Sequence, residues 1–363
     1  MSNARELAQI PSTPSGRRNL IINGAMNVAQ RGTSITNFTG NSQYHTVDRF
    51  VYENSGPSSA DFAQVTDAPS GFRKSLKATL NGAFNPSASQ YFIPFQQRIE
   101  SQDIVFLDYG TANAKTVTLS FWIKSNKTGT YVVEFSNNSK TRKWSQSYTI
   151  NAANTWEQKI ITWAGDTGAG TSFDDDNESG EAFYWWMSAG TTFTSGSLSG
   201  AWEDGNNANR AVGVPSSLAD DDQFYLTGVQ LEVGTVATEF EHRSYGEELA
   251  LCQRYYYQWL NDTSSDGHGL HVIGMYTSTR GFWGLSPPVA MRASPSITKV
   301  GTVTLRTPSL SANGTVNSWS VYTNDKESNR LSIDTTITGG TANVYRNITF
   351  SNLTGGYKLE AEL

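Results

Sequence analysis

Aromatic side chains are the residues of this chain with the clearest chemical use. Ten tryptophans, 16 tyrosines and 17 phenylalanines stand among its 363 residues. An exposed Trp or Tyr can stack on the apolar face of a pyranose while Asn, Asp, Gln and Arg bond its hydroxyls. The candidate platforms are Trp122, Trp144, Tyr184 and Trp186. In the segment 116–125, Val117, Leu119, Phe121 and Ile123 alternate with Thr118, Ser120, Trp122 and Lys124. A period of two is that of a strand, and it points Trp122 away from the apolar side. Trp144, Tyr184 and Trp186 fall in neighbouring strand-like runs. The other use of such rings is to fill a two-sided core or a subunit contact.

Acidic side chains offer a second chemistry. The run Asp174-Asp175-Asp176-Asn177-Glu178 is dense in hard oxygen ligands. An EF-hand opening at Asp174 needs glycine at its sixth position and glutamate at its twelfth, where Ser179 and Trp185 stand. Asp174 and Asp176 are therefore candidate ligands only for a calcium held outside that pattern, the alternative being a solvated loop tip. Of the four histidines, His268 and His271 are three apart, which on a strand puts them on opposite faces. The single cysteine, Cys252, excludes an internal disulfide and cysteine-rich zinc sites. There is no G-x-S-x-G elbow, H-E-x-x-H, phosphate-binding loop or dinucleotide fingerprint. The chain reads as a binding or structural protein, not an enzyme.

The elements that must position these residues are short strands. Only 17% of residues are charged, and the Ala-, Leu-, Glu- and Lys-rich composition of long helices is missing. Residues 1–18 read as an arm, stopped by Pro11, Pro14 and Gly16. Residues 19–245 hold strand candidates at Leu20–Ile22, 48–53, 75–80, 91–99, 116–125, 131–135, 143–150, 156–163 and 181–188. Pro94 marks the stretch 91–99 as irregular or an edge. Turn signals every 10 to 20 residues or so are those of a sandwich or jelly roll. Leu226, Val229, Leu231 and Val233 form a near-alternating strand broken at Gly228, where a bulge fits. Ser244 can cap a short helix with Glu247 as its capping-box partner, giving a junction helix over 246–259. A smaller, more polar β module fills 260–363, with strands expected near 270–276, 302–306, 318–322, 330–337, 345–350 and 357–362. The fold class expected is all-β: a jelly-roll β-sandwich, a short helix, then a smaller C-terminal β-sandwich.

The net charge of −6 speaks against sequence-independent nucleic-acid binding, which needs clustered cations. Arg17-Arg18 and Arg73-Lys74 are too short to supply them. No apolar run approaches the ~18 residues of a membrane span, and no signal region opens the chain. Synthesis in a cytoplasm, without ordinary export or membrane insertion, is the expectation.

Three blocks resemble one family. The first is Asn19-Leu20-Ile21-Ile22-Asn23-Gly24-Ala25-Met26-Asn27-Val28-Ala29-Gln30-Arg31-Gly32-Thr33-Ser34, with Tyr44 and Val47-Asp48-Arg49-Phe50 after it. The second is Thr118 to Ser125 followed by Lys127-Thr128-Gly129-Thr130-Tyr131. The third runs from Gly228-Val229-Gln230-Leu231-Glu232-Val233-Gly234 through Glu241-His242-Arg243-Ser244-Tyr245-Gly246-Glu247-Glu248 to Tyr256. In this order they resemble the carbohydrate-binding-module-like jelly roll of tailed-phage tail-fibre and virion-surface proteins, over roughly residues 19–259. The resemblance implies a virion structural protein, a tail fibre or tail-associated adhesin that contacts host-surface glycan. It also implies attachment to other tail or capsid proteins, for which the arm is the candidate. It assigns no sugar-binding residue. Relatives of this kind often hold a structural calcium near their first and last strands, but here Ala25 and Met26, after the Asn-Gly turn, supply no acid. A small polar second module and surplus aromatics make a homotrimer the expected assembly. The rival readings are a depolymerase or glycosidase acting on host polysaccharide, for which no β-helix repeat is present, and an architectural capsid or tail decoration.

Overall fold

The computed structural model describes residues 17–363 apart from 57, 86–91, 138, 169–170, 172, 261–266, 308–311 and 326–329. Residues 1–16, most of the expected arm, lie outside the described residues. The chain divides into one unit through Glu248 and a second from Leu249 to Glu362.

The first unit is a jelly-roll sandwich of two antiparallel sheets. One sheet runs, edge to edge, Ser34–Phe38, Ser59–Val65, Ser75–Asn81, Gln223–Val233, Val117–Ser125 and Glu157–Trp163. The other runs Glu203–Asp204, Arg142–Ile150, Gly129–Asn137, Ser179–Ala189, Phe92–Glu100, Phe50–Asn54 and Gly40–Gln43. Alternation places one set of side chains from each sheet between the layers. Phe62, Leu76, Phe95, Leu119, Phe121, Phe135, Trp163, Phe183, Leu226 and Leu231 meet there, all fully buried. Each such side chain stabilises by roughly 1.5–3 kcal/mol relative to exposure.

Two expectations are corrected in this unit. The stretch 91–99, read as irregular or an edge, is irregular but not an edge: its strand Phe92–Glu100 lies inside the sheet between Ser179–Ala189 and Phe50–Asn54. Pro94, which has no N–H to give, stands opposite Trp186, beside a register shift between Trp186 and Ser188. Leu20-Ile21-Ile22 is not a strand: side chains take most of its backbone groups, Asn19 the Ile21 N–H, Arg243 the Ile21 carbonyl and Gln97 the Ile22 carbonyl. Asn19 Oδ1 accepts from the N–H of Ile21 at 2.9 Å and of Leu231 at 3.1 Å. Asn23, at φ +61°, donates from Nδ2 to the carbonyls of Val28 and Asp48 at 2.8 and 2.9 Å, and its Oδ1 accepts from Val28 N–H at 3.0 Å.

The same asparagines join the first and third sequence blocks. The Asn23 N–H donates to Glu248 Oε1 at 2.6 Å. Arg243 Nη1 donates to Ile21 O at 3.0 Å and to Glu248 Oε1 at 3.3 Å, and Nη2 to Asn19 O. Gly24 lies so close to the other block that a Cβ there would sit 2.0 Å from Val229 O. The bulge at Gly228 is present: φ is +60° and the pairing shifts register between Thr227 and Gln230.

The helix spans Tyr245–Gln253. Ser244 Oγ accepts from Glu247 N–H at 3.3 Å, the cap its sequence suggested. Residues 256–259, expected as helix, belong instead to the strand Tyr256–Leu260, which pairs with the end of the chain from Gly356 to Glu360. A Tyr-Tyr-Gln-Trp run suits a strand better than a helix.

The second unit is one seven-stranded antiparallel sheet rather than two layers. Its order is Tyr256–Leu260, Tyr345–Glu360, Gly267–Met275, Arg280–Leu285, Arg330–Thr338, Ala312–Asp325 and Ser296–Arg306. The last strand pairs back on Tyr345–Glu360, so the sheet closes like a barrel. Closure lets one sheet wrap its own core: Ile273, Trp283, Val303, Leu305, Ile333, Ile348 and Leu359 fill it. Among the described residues no helix is long and apolar enough to cross a membrane.

Candidate functional site

The four aromatic candidates fall on three different faces. Tyr184 and Trp186 point out of the seven-stranded sheet of the first unit, level with Glu134 and Val132 of the next strand. They are corrected as sugar platforms, because their exposures are 3% and 1%. Phe92, Phe193, Ala211 and Val214 close over them. The Arg210 guanidinium lies 5.2 Å from the Tyr184 ring, 4.9 Å from Trp186 and 5.7 Å from Phe193. Its Nε reaches Glu134 at 2.9–3.0 Å, and Trp186 Nε1 donates to Glu134 Oε2 at 3.0 Å. A buried ion pair set among aromatic rings is a clamp on this cover, not an open binding surface.

Trp144 is opposite Phe135 and therefore on the inner face of the same sheet. It packs against the core and lies 6.2 Å from Trp202, so it too is corrected to a packing role. Trp122 does point out of the six-stranded sheet, half-buried beside Phe72. On that same face Lys124 pairs with Asp67 and lies 5.3 Å from Trp156 and 4.2 Å from Tyr225. The structure does not bring the four rings together.

Asp174 is exposed, and Asp176 Oδ1 accepts from the Glu178 N–H at 3.0 Å, closing its own turn. Among the described residues no group of three or more His, Cys, Asp or Glu side chains is placed to hold a metal ion. His271 packs 4.5 Å from the Trp283 ring, and burial lowers its pKa.

The open, built site is on the second unit and was not among the sequence candidates. Tyr276, Arg280, Phe282, Tyr322 and Ser332 line a groove of about 410 Å³ on the outside of the closed sheet. The strand Arg280–Leu285 shows why. Trp283 and Leu285 point into the core, so Arg280 and Phe282 point out. Register then sets Phe282 beside Asp334, Arg280 beside Thr336, and Gly284 beside Ser332. The Phe282 and Tyr322 rings meet edge-on at 5.3 Å, and Tyr276 lies 6.5 Å from Phe282. Tyr276 is 67% and Tyr322 61% exposed. Arg280 forks onto Asp334, Nε to Oδ1 and Oδ2 at 2.9 and 3.1 Å and Nη2 to Oδ2 at 2.7 Å, which holds the guanidinium proton more firmly than usual. Its Cζ is 5.0 Å from the Phe282 ring. A Cβ added at Gly284, beside Ser332, would meet nothing within 4 Å, so the outer face is open there.

Tyr345, 74% exposed, extends the strip. It pairs with Gly274, which in turn pairs with Phe282. A Cβ on Gly274 would sit 3.5 Å from the Tyr345 ring, so the missing side chain leaves that ring room to lie across the strand. The groove, with its rings beside Arg280, Asp334 and Ser332, and the Tyr345 ring next to it can hold a ligand that is apolar on its faces and polar on its rim.

No family model matches the chain, and no curated protein does. Among solved structures it is similar to the enzymatically active domain of tailspike protein 4 of bacteriophage CBA120, at 12% identity and a TM-score of 0.32 over 60% of this chain and 21% of that one. It is similar to a carbohydrate-binding module, CBM4, at 14% identity and a TM-score of 0.32 over 59% of this chain and 99% of the module. The family 11 carbohydrate-binding module of Clostridium thermocellum Lic26A-Cel5E matches at 10% identity and a TM-score of 0.28, over 56% and 99%. The chain thus spans about a fifth of the tailspike's length.

Proposed function

We propose that this protein is a non-catalytic adhesin of a tailed-phage virion, a tail fibre or tail-associated protein that holds host-surface glycan. The groove of Tyr276, Arg280, Phe282, Tyr322 and Ser332 carries this reading. Exposed rings supply faces for pyranose stacking, and Arg280, Asp334 and Ser332 supply donors and acceptors for hydroxyls. The virion assignment rests on the three resembling sequence blocks. In this reading residues 1–18 attach the chain to other tail or capsid proteins, and the chain assembles as a homotrimer on the particle. Weak single sites would then gain about 10² to 10⁴ in avidity from several copies.

The test passes host-derived capsular polysaccharide or lipopolysaccharide over immobilised full-length protein, and reads both retention and new reducing ends. Retention without new ends is expected. New reducing ends would replace the adhesin with a depolymerase. Absence of retention would favour an architectural decoration. Antibody labelling of intact particles checks the location.

A further inference from the structure

We infer that the groove on the second unit selects uncharged over acidic sugars, and takes a chain of them rather than a single ring. The inference rests on the glycan-binding reading and adds to it the class of ligand. Arg280 is the cation at the groove's lining, and Asp334 neutralises it through a fork of three close contacts between 2.7 and 3.1 Å. One positive and one negative charge leave the site formally neutral. A uronate or sialate carboxylate brought to Arg280 would meet the Asp334 carboxylate beside it. It would have to break a bidentate pair, the strongest geometry for a guanidinium, or accept repulsion at contact distance. A sugar hydroxyl faces no such conflict. It can accept from Arg280 Nη1, which the fork does not use, and donate to Asp334. Ser332 adds a hydroxyl on the same lining.

The length of the ligand follows from the aromatic row. Phe282, Gly274 and Tyr345 are neighbours across three strands. At the usual strand spacing Phe282 and Tyr345 stem from backbones about 10 Å apart. The glycine between them carries no side chain, and the Tyr345 ring reaches over it, 3.5 Å from where a Cβ would stand, so the row is continuous. A monosaccharide stacked on Phe282 and Tyr322 leaves Tyr345 unused, whereas an oligosaccharide laid along the row reaches it.

The experiment uses the full chain in affinity electrophoresis. Laminarin, xylan and galactomannan serve as neutral probes; alginate, polygalacturonate and polysialic acid serve as acidic ones. At least one neutral polymer should retard the protein, with little response to added salt, and the acidic polymers should not. Asp334→Asn leaves Arg280 charged and unpaired. It should weaken neutral binding and create retention by an acidic polymer that falls as salt rises. Tyr345→Ala should weaken binding of long oligosaccharides while leaving that of a disaccharide unchanged. Thermal melts establish that both variants fold; if Asp334→Asn does not, the salt response of the parent decides. Retardation of the parent by acidic polymers in preference to neutral ones, or salt-sensitive binding by the parent, would overturn the inference and leave the adhesin reading standing. Retardation by none of the polymers, together with no retention of the host glycan, would overturn both.

Discussion

The outer faces of the two units put the same kinds of side chain to opposite uses. On the first unit Tyr184 and Trp186 share a face with Glu134, and Arg210 joins all three. On the second, Phe282 and Tyr322 share a face with Asp334, and Arg280 joins Phe282 to it. Both are aromatic pairs with an arginine–carboxylate bridge. The first is buried to a few per cent, while the second is open. The difference lies in what the chain does next. After Ser179–Ala189 it makes a long excursion before Gln223–Val233, and Phe193, Arg210, Ala211 and Val214 of that excursion cover the rings. In the second unit the connection is a tight turn, Tyr276 N–H to Arg280 O at 2.9 Å, with no length to spare for a cover. Aromatic composition alone does not make a platform; the connections decide whether a ring is core or surface.

That comparison predicts unequal costs for equivalent changes. Arg210→Ala should be the most damaging. It strands Glu134 in a buried site, and breaking a buried pair costs about 3–5 kcal/mol; chemical denaturation should show it. Arg280→Ala should leave melting nearly unchanged and act on glycan retention instead. If both variants lose stability alike, the contrast between clamp and site is wrong. Asn23→Ala comes next. It removes three side-chain hydrogen bonds from a buried turn at φ +61°, a loss of about 3 kcal/mol, seen as a lower midpoint in urea.

Glu181→Gln should stabilise, and only above the acidic range. Burial, and secondarily the charge of Asp166, raise the Glu181 pKa well above its ordinary 4.5. The folded state therefore binds this proton more tightly than the unfolded chain. Stability is greatest below the unfolded pKa and declines as pH rises toward the folded one. A glutamine has no proton to lose, so the variant's melting temperature should exceed the parent's at pH 8 and converge on it near pH 4. Parallel melting curves across that range would count against the buried charge. The smallest effect on folding belongs to the groove. Tyr322→Ala should weaken glycan binding by about tenfold, the scale of one aromatic contact, with melting unaltered. Loss of folding in this variant would make the groove part of the core.

Much of the first unit was legible, and the reason is local. The alternation in 117–125 survives because both neighbours of that strand are in the same sheet. The bulge at Gly228 and the cap at Ser244 are written in single residues, a glycine that tolerates positive φ and a hydroxyl that accepts from a free N–H. The resembling blocks contain Asn19, Asn23, Arg243 and Glu248, which now read as one hydrogen-bonded lock. Such residues recognise each other through the backbone, so their identities constrain the fold and not a ligand.

The groove was not legible, and its strand Arg280–Leu285 was not among those expected. With glycines at 281 and 284 the segment carries little strand propensity, and only pairing with Arg330–Thr338 makes it one. Nothing in the order of residues sets Phe282 beside Asp334, 52 positions away, or Tyr345 across Gly274. Composition and period by themselves determined that this chain folds as strands and which side of the 117–125 strand is apolar, since these follow from interactions a few residues long. Sheet closure, strand register and the path of the 190–215 excursion decided which rings are buried and which are open, because each depends on partners that only the folded chain brings together.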